Sequence, residues 1–271
     1  MALISSKRIY YIDSHERVSG THENFSFKVE IPKTESFDKV VVLSAMIPKS
    51  YYLIQSGQNT FTLSEIGLPN VVITVDVGNY SATSFRTRLA SLLSTNSPHG
   101  WTYTITYPNT AITSNTGKFT YNVSGNGASQ PSFIFTTFMH EQFGFEPNST
   151  NTFVANSITS THVVKMQVKD TLFIHSDISS NGRDDILQEI FGAPSPDFSS
   201  IKYECVDVEA YSKDLTTQNH NIYNFFLTDE DGILMNLNGL NMVITLCVYK
   251  RDSLYEMLKD YMKLRTVALK K

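Results

Sequence analysis

Phe25-Ser-Phe-Lys-Val-Glu-Ile31 alternates apolar and polar residues for seven positions, placing Phe25, Phe27, Val29 and Ile31 on one face of an extended chain. A period of two is the signature of a half-buried β-strand, and it sets the style of the whole sequence. Downstream, Lys39 to Ile47 is an almost unbroken apolar run closed by Pro48, which predicts a buried strand. Phe61 and Leu63 alternate with Thr60, Thr62 and Ser64, and Val71, Ile73, Val75 and Val77 alternate with Val72, Thr74 and Asp76. Pro, Gly and Asn punctuate these segments as turns.

After Gly78 the period changes. Ser81 is placed as an N-cap, and Phe85, Leu89, Leu92 and Leu93 follow at the spacing of a short amphipathic helix ended by Pro98 and Gly100. Alternation then returns around Tyr103, Ile105 and Tyr107, around Phe119, Tyr121 and Val123, and in Ser132 to Phe138. One helix and three strands over 78–158 therefore predict a small α+β subdomain inserted into a longer β protein.

Strand patterns resume at Val163–Val168, Leu172–Ile178, Lys202–Val208, Ile222–Leu227 and Met242–Tyr249, while Ile186, Leu187 and Ile190 have helical spacing. With 163–168 taken as a connector, four strands precede the insertion and four follow it. The expectation is an all-β chain: a single jelly-roll sandwich of eight antiparallel strands over 1–77 and 159–250. A sandwich of another topology fits the count equally well. From 251 to 271 a basic amphipathic helical tail is expected, with a Ser253/Glu256 capping box, an apolar face of Leu254, Leu258, Tyr261 and Leu264, and a basic face that includes Lys263 and Arg265.

Charge excludes several classes. Of the 271 residues 18% are charged, with 22 basic and 26 acidic groups, so this is neither a strongly basic nucleic-acid binder nor an acidic disordered chain. The charge is also uneven, for residues 51–164 hold only Glu65, Asp76, Arg86, Arg88, Lys118, Glu141 and Glu146. Ser, Thr and Asn carry the polarity there, and such a neutral surface suits contact with other protein or the outside medium. No run reaches the ~18–20 apolar residues of a membrane span. No export signal is read at the N-terminus, so synthesis inside a cell without secretion is expected, and the sequons at Asn24, Asn79, Asn122 and Asn148 read as turn and strand residues. Cys205 and Cys247 read as buried free thiols.

No catalytic, cofactor or metal constellation emerges. The His-Glu pairs lack a second His four residues on, no Gly-x-Ser-x-Gly elbow occurs, and Gly125-Asn-Gly127 lacks the Lys-Ser/Thr of a phosphate loop. Asp229, Glu230 and Asp231 form a weak ion candidate whose plainer reading is a solvated turn. Tyr103, Tyr107 and Tyr121 are candidates for an exposed binding patch, because they fall in the charge-poor insert. Leu254, Leu258, Tyr261, Lys263 and Arg265 are candidates for docking the tail onto a partner or the underside of an assembly, with nucleic acid or an anionic membrane left open.

A run of motifs resembles a known family. Pro48-Lys-Ser-Tyr-Tyr-Leu53, Asn59-Thr-Phe-Thr-Leu63, Gly78-Asn-Tyr-Ser81, Gly117-Lys-Phe-Thr-Tyr121, Gln130-Pro-Ser-Phe-Ile-Phe135, Phe143-Gly-Phe145, Asn148-Ser-Thr-Asn-Thr-Phe153, Leu172-Phe-Ile-His-Ser-Asp177, Ala210-Tyr-Ser-Lys213 and Asn238-Gly-Leu-Asn-Met242 occur in that order. Together, over about residues 5 to 250, they resemble the minor capsid, or penton, proteins of virophages, adintoviruses and polinton-like viruses. The resemblance implies a non-enzymatic virion protein with no cofactor and no small-molecule substrate. It implies homopentamers at icosahedral vertices among trimers of a double jelly-roll major capsid protein, with another minor capsid protein as a further partner. The insert would then form an outward knob or pack on its neighbour. The reading from another class is a host-attachment or glycan-binding, lectin-like module of a vertex fibre.

Overall fold

The computed structural model describes residues 4–32, 34–107, 116–179, 186–192, 198–216, 221–251, 258 and 261–262. The chain forms two compact units, a body of Met1–Tyr51 with Lys169–Lys271 and a second unit, Tyr52–Val168.

Among the described residues, eight main strands build the body, in chain order Ile4–Asp13, Asn24–Lys28, Lys39–Pro48, Thr171–Ser176, Ile186–Phe191, Ser200–Glu204, Ile222–Asp229 and Val243–Arg251. The first pairs antiparallel with the eighth, the second with the seventh, the third with the sixth and the fourth with the fifth. The eighth also pairs with the third, and the seventh with the fourth. One sheet therefore runs first–eighth–third–sixth and the other fifth–fourth–seventh–second. Nested pairing of this kind is an antiparallel ribbon rolled on itself, which is a jelly roll. Short strands Ser19–Gly20 and Lys213–Asp214 extend the two sheets. Ile12, Val40, Val42, Leu172, Ile174, Phe225, Leu227, Ile244 and Leu246 are buried apolar residues on these strands.

Six of the eight expected strands are present in the body, and Ile4–Asp13 and Ile186–Phe191 take the places expected for 60–64 and 71–77. Ile4–Asp13 escaped the reading because Tyr10 and Ile12 turn inward while Ile9 and Tyr11 stay exposed outside, so no period shows. Ile186–Phe191 looked helical because a bulge lies opposite Ile174/His175, where the register passes from Gln188 to Ile186 and leaves Leu187 as the extra residue. A bulge breaks the alternation, so buried Leu187 and Ile190 fall three apart as they would on a helix. The segment 163–168 forms no strand.

The second unit begins and ends outside the expected 78–158. Its four-stranded sheet joins Thr60–Ser64 and Val71–Thr74, both assigned above to the body, to Ser132–Ile134 and Thr150–Thr152. A three-stranded sheet holds Thr102–Thr106, Thr120–Ser124 and Ser157–Thr159. Strands of both units share one period, so alternation alone could not divide them. The helix Ala82–Thr95 starts at a Ser81/Ser84 capping box and buries Phe85, Leu89 and Leu93. The core beneath is dominated by aromatic rings, with Phe143 at 4.6 Å from Phe61, 4.9 Å from Phe135 and 5.6 Å from Phe133, centroid to centroid.

The chain leaves the body at Tyr51 and re-enters it at Lys169. Those two points are fastened together, for the buried Tyr51 hydroxyl donates to the Lys169 carbonyl at 2.9 Å. Lys49 Nζ also reaches Asp170 at 3.1 Å. Among the described residues no helix is long and apolar enough to cross a membrane.

Candidate interaction surfaces

Alternation decides what each strand of the second unit offers to solvent. In Thr102–Thr106 and Thr120–Ser124 the odd positions face inward, so Tyr103 and Tyr121 are 2% and 0% exposed. Tyr107 is half-buried with its ring 5.4 Å from Phe119. The three tyrosines are thus core and core-edge residues and form no exposed platform. The Tyr121 hydroxyl donates to the Phe143 carbonyl, and burial raises its pKa. The Tyr103 hydroxyl donates to Glu65 at 2.8 Å, and burial with the adjoining carboxylate raises its pKa as well.

What remains outside is a neutral lattice. Thr102, Thr104 and Thr106 stand in register with Ser124, Asn122 and Thr120, and Asn122 and Thr120 with Ser157 and Thr159. On the other sheet, Thr62 and Ser64 line up with Ile134 and Ser132, which in turn face Thr150 and Thr152. Most of the charges of this unit are paired or buried. Asp76 pairs with Arg88 and Glu141 with Lys165, Glu146 lies 2.8 Å from His162 Nε2, and Glu65 is buried. Hydroxyl and amide groups thus form most of its polar exterior, deepening the charge poverty read from the sequence.

The acidic candidate carries its own cation. Lys169 Nζ lies 2.6 Å from Asp231 Oδ2 and 3.2 Å from Glu230 Oε1. Asp229 is buried, and its Oδ1 accepts from the backbone N–H of Asp231 and Ile233 at 3.0 and 2.9 Å. The three carboxylates thus fold a turn, with Lys169 where an ion would sit. No cluster of three or more His, Cys, Asp or Glu able to hold a metal occurs among the described residues.

Desolvation raises the Asp229 pKa, against the lowering effect of its backbone donors and Lys169. A carboxyl raised on folding favours the fold below its unfolded pKa, and that contribution is lost as pH rises through the folded value. Asp229→Asn keeps an acceptor oxygen and removes the buried charge. It is expected to raise body stability at pH 7 and to leave stability near pH 3 unchanged. Denaturant midpoints at the two pH values check this, and equal shifts at both would refute it.

The body offers apolar rather than neutral surfaces. On the outside of the first–eighth–third–sixth sheet, Ile9, Tyr11 and Met46 are exposed, while Val41, Cys247 and Tyr249 are buried as a small second core with Leu43, Cys205 and Val208 packed against it. Cys247 is a buried free thiol, as expected, and Cys205 is partly exposed. Beside this face lies a groove of about 330 Å³ whose lining includes Phe173, Ile186, Phe191, Tyr203, Tyr211 and Glu189. The fifth strand and helix Val208–Tyr211 contribute to it, so the missed strand concealed the groove from the sequence reading. Of the tail candidates, Leu258 and Tyr261 are helical and exposed, whereas Leu254, Lys263 and Arg265 lie outside the described residues.

No family model matches the chain, and no curated protein matches it. Among solved structures it is similar to the crystal structure of selenomethionine-labelled mavirus penton protein. The match is 13% identical, covers 89% of this chain and 99% of that chain, and has a TM-score of 0.43.

Proposed function

We propose that this chain is a penton, or minor capsid, protein: a structural subunit of which five copies close each five-fold vertex of an icosahedral virion. The observation that carries the reading is the roll itself, interrupted between its third and fourth strands by a 117-residue unit, from Tyr52 to Val168, with a nearly uncharged exterior. The motif run that resembles virophage and polinton-like pentons spans both units and agrees with that layout. Its partners are then other copies of itself, a double jelly-roll major capsid protein and a further minor capsid protein. The role is architectural and requires no catalytic step. A five-fold ring needs two different patches on each copy, meeting head to tail.

The test is the mass of the purified protein by native mass spectrometry and two-dimensional averaging, alone and with the major capsid protein. Pentamers, or monomers that become pentamers on co-assembly, are expected. A trimer with saturable sugar binding would overturn the reading in favour of an attachment module. Such a module would have to use the hydroxyl lattice and the edge of Tyr107, since Tyr103 and Tyr121 are buried.

A further inference from the structure

We infer that the groove beside the fifth and sixth strands of the body is the receptor for the C-terminal tail of a neighbouring copy of this chain. Three observations meet there. The groove has an apolar lining, and Phe191 at its margin is 65% exposed. Tyr203 adds its ring to the wall, with its hydroxyl turned inward beside the Cys205 thiol.

The second observation is charge. Glu189 lines the groove, and exposed Glu204 and Asp207 with partly exposed Glu209 are carried by or next to its flanking strand and helix. Lys202 and Lys213 oppose them, Lys213 from within the lining, leaving an acidic excess. Beyond the eighth strand, from Asp252 onward, the chain carries five basic and three acidic residues, whereas the preceding 251 carry seventeen and twenty-three. A tail of net +2 thus follows a chain of net −6.

Third, the tail brings a complementary shape. Leu258 and Tyr261 are helical, three residues apart, and 58% and 61% exposed. An apolar helix face left open on its own chain is suited to a groove on another, the helix-in-groove mode of recognition. Lys259 and Lys263 flank those two residues in sequence and match the acidic margin. The inference rests on the proposed function only in supposing that copies of this chain meet.

The full-length chain carrying the photo-cross-linker benzoylphenylalanine in place of Tyr261 tests it, irradiated alone at high concentration and after co-assembly. Cross-links between chains should join the tail to peptides within 186–191 or 203–213. Phe191→Ser, at an exposed position, should cut their yield at least fivefold without moving the unfolding midpoint. So should the double reversal Lys259→Glu with Lys263→Glu. Cross-links confined to one chain, directed elsewhere on the surface or absent under both conditions would overturn the inference. Diversion of the tail by added duplex DNA or phosphatidylserine vesicles, at the expense of the groove cross-link, would overturn it too. Pentamers whose tails cross-link elsewhere would sink this inference alone. A groove cross-link in assemblies of another copy number would sink only the penton reading.

Discussion

Glu65→Ala is expected to cost the second unit about 3–4 kcal/mol, because it leaves three donors without an acceptor inside a packed core. Glu65 is 1% exposed and accepts from Ser97 Oγ at 2.7 Å, from the His99 backbone N–H at 3.0 Å and from the Tyr103 hydroxyl at 2.8 Å. Ser97 Oγ in turn accepts from the Trp101 backbone N–H at 2.8 Å, so the carboxylate organises the whole turn between the helix and the following strand. Trp101 is the only tryptophan of the chain, 7% exposed and stacked on His99 at 4.9 Å. Its fluorescence therefore reports this unit alone, and urea titration of that signal gives the loss directly. Tyr103→Phe should cost about 1.5–3 kcal/mol in the native background and almost nothing once Glu65 is Ala. Additive costs in that cycle would show that the hydrogen bond is not the source of the stability.

Phe143→Ala is expected to cost about 3–5 kcal/mol, the range for emptying a buried aromatic site. Phe143 is fully buried among Phe61, Phe85, Tyr121, Phe133 and Phe135, and close-packed rings cannot collapse to refill its volume. The two cysteines both lie in the body, and Cys247 is 3% exposed, so the rate of its thiol modification reports opening of the jelly roll. The Trp101 transition should move to lower urea in Phe143→Ala while Cys247 modification in buffer keeps its native rate. A proportional rise in Cys247 reactivity would mean that the two units unfold as one.

These residues show how far the sequence could be read. The helix cap at Ser81 and the stripe of Phe85, Leu89 and Leu93 were legible because local spacing fixes them. The strands around Tyr103 and Tyr121 were legible too, but which face was wet was not. Aromatic rings and threonines alternate there, and only the helix and the Phe143 segment packed inside decide the matter. Glu65 is legible only as one of the few charges of the middle region, since a lone glutamate gives no hint that Ser97, His99 and Tyr103 converge on it. Lys169, more than fifty residues from the acidic turn it neutralises, was equally invisible. The first and fifth strands were lost to two-sided apolarity and to a bulge, and with them the body's apolar surfaces.

The clasp between Tyr51 and Lys169 bears on how such a chain can change over generations. Because the two crossings are held together by the body's own hydrogen bond, the roll meets the 117 residues from Tyr52 to Val168 as one closed loop. Closing that loop costs only about 3 kcal/mol more than closing a five-residue linker, since the entropy grows with the logarithm of length. In loop-entropy terms, lengthening or shortening this unit by some twenty residues changes the closure cost by only about 0.1–0.2 kcal/mol. The part of the molecule with a nearly uncharged exterior is thus also the part whose length closure of the loop constrains least.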